Sequence, residues 1–464
     1  MSGGEKNENE EDVKKKPTKG EKRRGRSPSK REPIADIEDI MFSIDKVQTM
    51  RSSLLDWYDL SHRDLPWRRL DKGQPQTRGY GVWVSEIMLQ QTRVQTVVEY
   101  YKRWMHKWPT VQHLSRASLE EVNEMWAGLG YYRRARFLLE GAKLIVKEGG
   151  EFPKTVSALR KIPGIGEYTA GAIASIAFDE VVPVVDGNVI RVIARLKAIS
   201  GNPKDSKLVK QVWKAAAQLV DPSRPGDFNQ ALMELGATLC TPTSPSCSTC
   251  PVFDHCEALS ISKDDSSVLV TDYPAKGIKT KQRHDYSAVC VVEILENQGS
   301  SELKQSSRFL LVKRPDEGLL AGLWEFPSVL LKGEADSSTR RESMNSLLSK
   351  SFGLEPKKNF DIVIREDVGD FIHVFSHIRL KIYVEHLVLR LKGEGSKLFR
   401  KQEKKSISWK CVDNKVMSSV GLTSSVRKVY AMVEKFEADK ISPIRAVATK
   451  KQRATSTNLS CRSC

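Results

Sequence analysis

Cysteine is scarce, eight in 464 residues, so a secreted disulfide scaffold is excluded. No run of ~18 apolar residues occurs, which argues against a membrane-spanning helix. The N-terminal stretch has no apolar core of a signal peptide, and its many acids argue against a transit peptide. No internal repeat, collagen period or sustained heptad is seen. What remains is an intracellular protein of two to four domains, at ~100–200 residues each. Basic residues exceed acidic ones, 75 against 58, for a net charge of +17. Such an excess favours a polyanionic partner through counterion release.

Residues 1–40 are polar, charge-mixed and almost free of apolar side chains, and read as a disordered basic tail. Within it, KRRGRSPSKR (Lys22 to Arg31) has the composition of a nuclear localisation signal or a DNA-binding arm, so the nucleus is the expected compartment. Delivery to an organelle through an alternative N-terminus stays open. Residues 41–258 read as all-α. Leu54, Leu55, Trp57, Tyr58 and Leu60 form one apolar stripe. Trp83, Ile87, Val94, Val97, Tyr101 and Trp104 continue at mostly helical spacing. Ser118, three residues before Glu121, predicts a capping box, and Gly128 and Gly130 predict the end of that segment.

Residues 259–284 read as a linker, and residues 285–440 as an α+β domain. There the apolar period becomes alternating in YSAVCVVEIL, RFLLVKRP, HVFSHIRLKIYVEHLVLRL and SISWKCV, which predicts strands. Helical patterns run from Arg341 to Phe352 and from Ser425 to Phe436. Residues 441–464 are expected to be a second disordered basic tail.

Three features carry chemistry. Cys240, Cys247, Cys250 and Cys256 are spaced C-x6-C-x2-C-x5-C. One compact, uneven loop of thiols suits an iron–sulfur cluster better than zinc, which prefers paired CxxC knuckles; zinc is the rival reading. Cys290, Cys411, Cys461 and Cys464 read as plain thiols. A Pro-Gly-x-Gly turn, with Gly164 and Gly166, joins two helices between Leu159 and Ile173. Amides at such a helix start suit a DNA phosphate, although a tight helix–helix turn alone has the same pattern. Asp186 opens the next helix in VDGNV, a position that a plain N-cap would also explain.

Hairpin, VDGNV and cysteine loop, in that order over residues 50–258, resemble the helix-hairpin-helix DNA glycosylases that carry an iron–sulfur cluster. LPWR (Leu65 to Arg68), WVSEIMLQQT (Trp83 to Thr92) and WAGLGYYRRAR (Trp126 to Arg136) are similar to the MutY-type adenine glycosylases. The resemblance implies a 4Fe-4S cluster on the four cysteines. It implies that Glu86, on an apolar helix face, keeps a proton for adenine, while Asp186 stabilises or captures the sugar cation. Asn188 would orient Asp186 or a water, and Tyr168 would lie beside the same centre. Lyase-competent relatives have Lys where Tyr168 stands, so the chain is expected to be a monofunctional purine-specific glycosylase that leaves an abasic site. Lys161, in the same hairpin, leaves room for weak adventitious lyase activity. Gln90 and Tyr131 would wedge into the base stack, and Gln91 would contact the bases.

Arg308 to Arg314, GLWEFP (Gly322 to Pro327) and the helix after it resemble the Nudix fold, which these glycosylases carry as their C-terminal domain. Of the carboxylate cluster a catalytic Nudix helix needs, Arg341-Glu342-Ser-Met-Asn-Ser346 keeps only the first pair, so the domain is expected to read rather than hydrolyse. Phe375, Ser376 and His377, placed on an alternating strand, match the family's FSH loop. A hydroxyl such as that of Ser376 can accept the N7 hydrogen that 8-oxoguanine has and guanine lacks. The implied partners are duplex DNA with A:8-oxoguanine or A:G mispairs, and a replication clamp and other repair proteins; a monomer is expected, without membrane attachment. Two rivals share parts of the pattern: a bifunctional endonuclease-III-like enzyme acting on oxidised pyrimidines, and a non-enzymatic DNA-binding scaffold.

Overall fold

The computed structural model describes residues 41–71, 73–275, 282–295, 307–315, 317–355, 358–392, 407–419 and 421–457, with side chains described as far as Lys440. The N-terminal tail with Lys22–Arg31, residues 276–281 of the linker, and Cys461 and Cys464 lie outside these residues. Among them, no helix is long and apolar enough to cross a membrane.

The helical region folds as two lobes with separate cores. The first lobe comprises α2 (Pro75–Leu89), α3 (Val94–Lys107), α4 (Val111–Ser115), α5 (Leu119–Trp126), α6 (Arg133–Lys147), α7 (Val156–Leu159) and α8 (Glu167–Phe178). Trp83, Trp104 and Trp126, all fully buried, anchor its core. Ser118 and Glu121 form the expected capping box at the start of α5, which ends at Trp126 before the positive-φ glycines Gly128 and Gly130. The second lobe joins α1 (Ile44–Ser61) to α9 (Gly187–Leu196), α10 (Ser206–Leu219) and α11 (Pro225–Thr238) around Met50, Val189, Val212 and Phe228. Helix α8 packs on α2 and on α11, so it stands at the seam between the lobes. A short helix, α12 (Glu257–Asp264), follows the cysteine loop and occupies the start of the segment read as linker.

The C-terminal domain is a mixed sheet between helices. Its strands are β1 (Arg283–Leu295), β2 (Ser307–Lys313), β3 (Trp324–Glu325), β4 (Ser328–Leu331), β5 (Phe360–Val374), β6 (Ile378–Leu391) and β7 (Trp409–Val412). The order is β3-β2-β1-β6-β5, with β4 on β1 and β7 on β2; β1 and β6 run parallel and the other pairs antiparallel. Alternation sends Cys290, Val292 and Ile294 to one face, under Met344, Leu348 and Phe352 of α13 (Ser337–Phe352). Val291 faces the other side, against Met417 of α14 (Asn414–Ser419) and Val426, Val429 and Val433 of α15 (Ser424–Thr457). Helix α15 continues through 441–457, helical backbone where the sequence reading has a disordered tail. One strand reading is corrected: the segment 373–391 is interrupted at Phe375-Ser376-His377, which form the turn between β5 and β6. Val374, Ile378 and Leu380, on either side of the turn, share one parity, so the apolar alternation did not reveal the reversal.

The domains touch through GLWEFP. Leu323 is buried in the first lobe's core, with Leu320 packed against it. The Trp324 indole donates to Glu120 Oε1 of α5 at 3.1 Å, and Lys410 Nζ donates to the same oxygen at 2.6 Å.

Candidate active site

The lobe seam collects the ionisable groups that the sequence spreads over a hundred residues. Glu86 lies in the last turn of α2 on a helix that buries eleven of its fifteen residues, and its side chain is drawn inside with them. Tyr168, in the first turn of α8, donates its hydroxyl to Glu86 Oε2 at 2.6 Å. The same hydroxyl lies 3.6 Å from Met233 Sδ of α11, a side chain that packs against both cores. Across the seam, Asp186 caps α9: Oδ1 accepts from the Val189 amide at 2.7 Å and Oδ2 from Asn188 Nδ2 at 2.8 Å. The cap and the candidate catalytic carboxylate are therefore one group. Asp186, Asn188 and Tyr168 are part-exposed, whereas Glu86 is buried, so the site opens on the Asp186 side.

The two carboxyls sit in different surroundings. Burial pushes Glu86 up to about 7, Tyr168 and Arg68 pull the other way, and the charge of Asp186 pushes further up. Burial also raises Asp186, but two backbone amides, the Asn188 amide and Arg191 all favour its charged form. Of the two carboxyls, Glu86 is therefore the one that holds a proton more readily. Burial likewise raises the Tyr168 phenol well above its ordinary value, which keeps its hydrogen for donation.

Three supports were not legible as such in the sequence. Glu234 of α11, fully buried, accepts from Arg63 Nε at 2.6 Å and Arg68 Nη2 at 2.9 Å. Burial alone would raise its carboxyl; the two guanidiniums instead hold it at about 2. This explains the last residue of LPWR. Arg191 joins the active site to the cysteine loop: Nη2 donates to Asn188 Oδ1 at 2.8 Å and Gly236 O at 2.7 Å, and Nε donates to Cys240 O at 2.8 Å. A Cβ on Gly236 would come within 2.7 Å of Asn188 Cβ, so only glycine admits α9 that close to α11. The spacing Asn188, Arg191, Arg195 on one helix face was the available signal.

Cys240, Cys250 and Cys256 pack against the second core, and Cys247 begins the short turn between them. Four thiols on one compact loop are the donor set that an iron–sulfur centre takes. Burial raises the Cys250 thiol to about 12 and Cys256 to about 11. Thiolates there need a cationic centre to balance them. Arg195, itself buried, donates to Cys240 Sγ at 3.2 Å and to Thr241 O at 2.8 Å. Cys290 is buried in the sheet, in keeping with a plain thiol.

The DNA-facing candidates sit at loop tips. Ile162 and Ile165 are buried beneath the hairpin turn, while Lys161, Gly164 and Gly166 are exposed. Gly164 has φ +80°, and a Cβ there would strike Phe137 at 2.6 Å. Gln90 ends α2, Gln91 follows in left-handed backbone (φ 54°), and Tyr131 is left-handed (φ 47°) and 47% exposed. In the β5–β6 turn, the Phe375 amide donates to Ile378 O at 2.8 Å, and Ser376 and His377 are exposed. Helix α13 carries a single acid, Glu342, and its Arg341 pairs with Glu385 at 2.7 Å.

Residues 84–218 match the HhH-GPD superfamily of base excision DNA repair proteins, residues 240–256 the iron-sulfur binding domain of endonuclease III, and residues 302–432 the NUDIX domain. With the donor set above, the second match assigns an iron–sulfur cluster to the four cysteines. An adenine DNA glycosylase of Arabidopsis thaliana is 60% identical over 417 residues, covering 85% of this chain; the chain spans 65% of that relative's length. The mouse adenine DNA glycosylase is 47% identical over 379 residues, 74% of this chain and 71% of the relative. That of Buchnera aphidicola from Acyrthosiphon pisum is 32% identical over 378 residues, 81% of this chain and 95% of the relative. On these similarities and the architecture that accompanies them, the chain belongs to the adenine DNA glycosylase family.

Proposed function

We propose that this chain hydrolyses the N-glycosidic bond of undamaged adenine mispaired with 8-oxoguanine or guanine in duplex DNA, leaving an abasic site for base excision repair. The observation that carries the reading is the buried Glu86, its carboxyl raised by desolvation and held by Tyr168 at 2.6 Å, with the N-capped Asp186 near it. Glu86 delivers its proton to a ring nitrogen of the extruded adenine, and the C1′–N bond breaks with its electron pair going to the base. Asp186 offsets the positive charge that develops on the sugar, held in place by Asn188 and the Val189 amide. Water then bonds to C1′, and its proton returns to the Glu86 carboxylate.

No amine occupies the place of Tyr168, which favours release without strand cleavage. Gln90, Gln91 and Tyr131 stand at the rim to fill the space the base leaves, and Gly164 and Gly166 present amides to a phosphate. The C-terminal domain serves as reader of the opposite base through Phe375, Ser376 and His377. Its helix α13 lacks the carboxylates for metal-dependent hydrolysis. When bound, the cluster would be held by Cys240, Cys247, Cys250 and Cys256 and would tie their loop into a folded anchor beside α9, next to Arg191 and Arg195. The basic run Lys22–Arg31 supports nuclear residence, and loss of nuclear signal from a fluorescent fusion lacking it is the expected result.

Single-turnover adenine release from duplexes with A opposite 8-oxoguanine, G or T tests the reading. Fast release opposite 8-oxoguanine, with strand breaks only after alkali, is expected. Breaks without alkali would replace it with the bifunctional enzyme, and no release with the scaffold.

A further inference from the structure

Arg134 is a buried cation that has no carboxylate partner among the described residues. The residue is 7% exposed, and burial pulls its pKa down to about 10. Such a charge is costly to bury, so what it touches matters. Nη1 donates to the carbonyls of Ile87 (2.9 Å), Met88 (3.0 Å) and Gln90 (2.6 Å), at the end of α2. Nη2 donates to the carbonyls of Leu129 and Gly130, both at 3.0 Å, and to Thr92 Oγ1 at 3.3 Å. Nη1 thus serves the end of α2 alone, while Nη2 joins the Leu129–Gly130 carbonyls to Thr92 just beyond it.

The register of these bonds is informative. Gln90 O belongs to the peptide that enters Gln91, and Gly130 O to the peptide that enters Tyr131. Gln91 and Tyr131 are both non-glycine residues in left-handed backbone, at φ 54° and 47°. Such residues persist only where their surroundings over-determine them. Here the same planar fork fixes the peptide plane preceding each. The guanidinium carbon also lies 5.1 Å from the Trp126 ring centre and 5.6 Å from that of Tyr131. Capping α2 would need only the first three bonds; the bonds to the Leu129 and Gly130 carbonyls have no such role.

We infer that Arg134 is a positioning residue for base extrusion, locking the Gln90–Gln91 loop and the Tyr131 loop into one rigid wedge that enters the base stack as a unit. The inference rests on the function proposed above. Without the fork, each loop relaxes separately, and extrusion of a paired adenine slows more than duplex binding does. Lysine keeps the charge but not the planar fork, so it does not restore the coupling.

The test uses the full chain with its cluster. In an E86Q background, which stops chemistry, 2-aminopurine replaces adenine opposite 8-oxoguanine, and its fluorescence rise reports unstacking. R134M and R134K are expected to slow that rise about ten- to a hundred-fold, the range for a charged hydrogen-bonding group. Visible cluster absorbance and thermal midpoint check folding, and R134K keeps the test valid should R134M fail to fold. In a Q90A/Y131A background the wedge is already gone, so R134K is expected to add little further loss. Unchanged extrusion in the Arg134 variants overturns the inference. So does an equal loss in the Q90A/Y131A background, which would make Arg134 structural only. Absence of adenine release by the unmutated chain overturns the proposed function instead.

Discussion

The catalytic seam and the β5–β6 turn are two polar sites built on opposite plans. At the seam, Glu86 is buried, its only hydrogen-bonding side chain is Tyr168, and desolvation carries its carboxyl to about 7. In the turn, Ser376 and His377 are exposed and bond to one another at 3.0 Å. The difference teaches where each task draws its energy. Holding a proton near neutral pH needs a low-dielectric setting, which only packed helices supply. On the proposed reading, sensing one hydrogen on a base needs an acceptor that the DNA can reach, and the β5–β6 hairpin presents Ser376 without burial. The seam therefore depends on the two cores, and the turn on the sheet register alone.

Substitutions should separate the two plans. The largest expected effect is at the seam: E86Q removes the proton donor and should lower single-turnover release about a hundred- to ten-thousand-fold. That loss should be equal opposite 8-oxoguanine and G, since the residue does not read the partner. Next comes the cluster. C250A should lower the thermal midpoint and bleach the visible absorbance together, because the second core packs on that sulfur. A bleached protein with an unchanged midpoint would detach the cluster from the fold. In the turn, S376A removes one acceptor and should cost about two- to ten-fold in the ratio of rates opposite 8-oxoguanine and G. An unchanged ratio would move recognition away from Ser376. The smallest effect is expected at the domain contact. E120Q weakens a partly exposed pair with Lys410, worth about 0.5 kcal/mol, and should shift the thermal midpoint only slightly.

What could be read from the chain alone was set by contiguity. Glu86, Tyr168, Asp186, Asn188 and the four cysteines fall in short motifs whose spacing survives without a fold, and the structure brings Tyr168 to Glu86 and Asn188 to Asp186. The α+β domain and both of its principal helices were legible from the change of period. Residues whose role arises from long-range convergence were not. Arg134 reaches Gln90 across 44 residues, Arg63 reaches Glu234 across 171, and Trp324 reaches Glu120 across 204. The turn at Phe375–His377 was hidden for a different reason, because its flanking strands carry the same alternation.

The central claim is that burial of Glu86 creates the acid. Its carboxyl is raised from 4.5 to about 7 in the folded chain, so the folded state holds that proton more tightly than the unfolded state does. The associated stability is full below about 4.5 and is lost as pH rises through about 7. The same titration governs the chemistry, since only the protonated form can donate. The decisive measurement is the pH dependence of single-turnover adenine release opposite 8-oxoguanine. The rate should fall as pH rises through about 7, with D186N lowering that midpoint by removing the neighbouring charge. A rate that stays flat from acidic to alkaline pH would contradict the account.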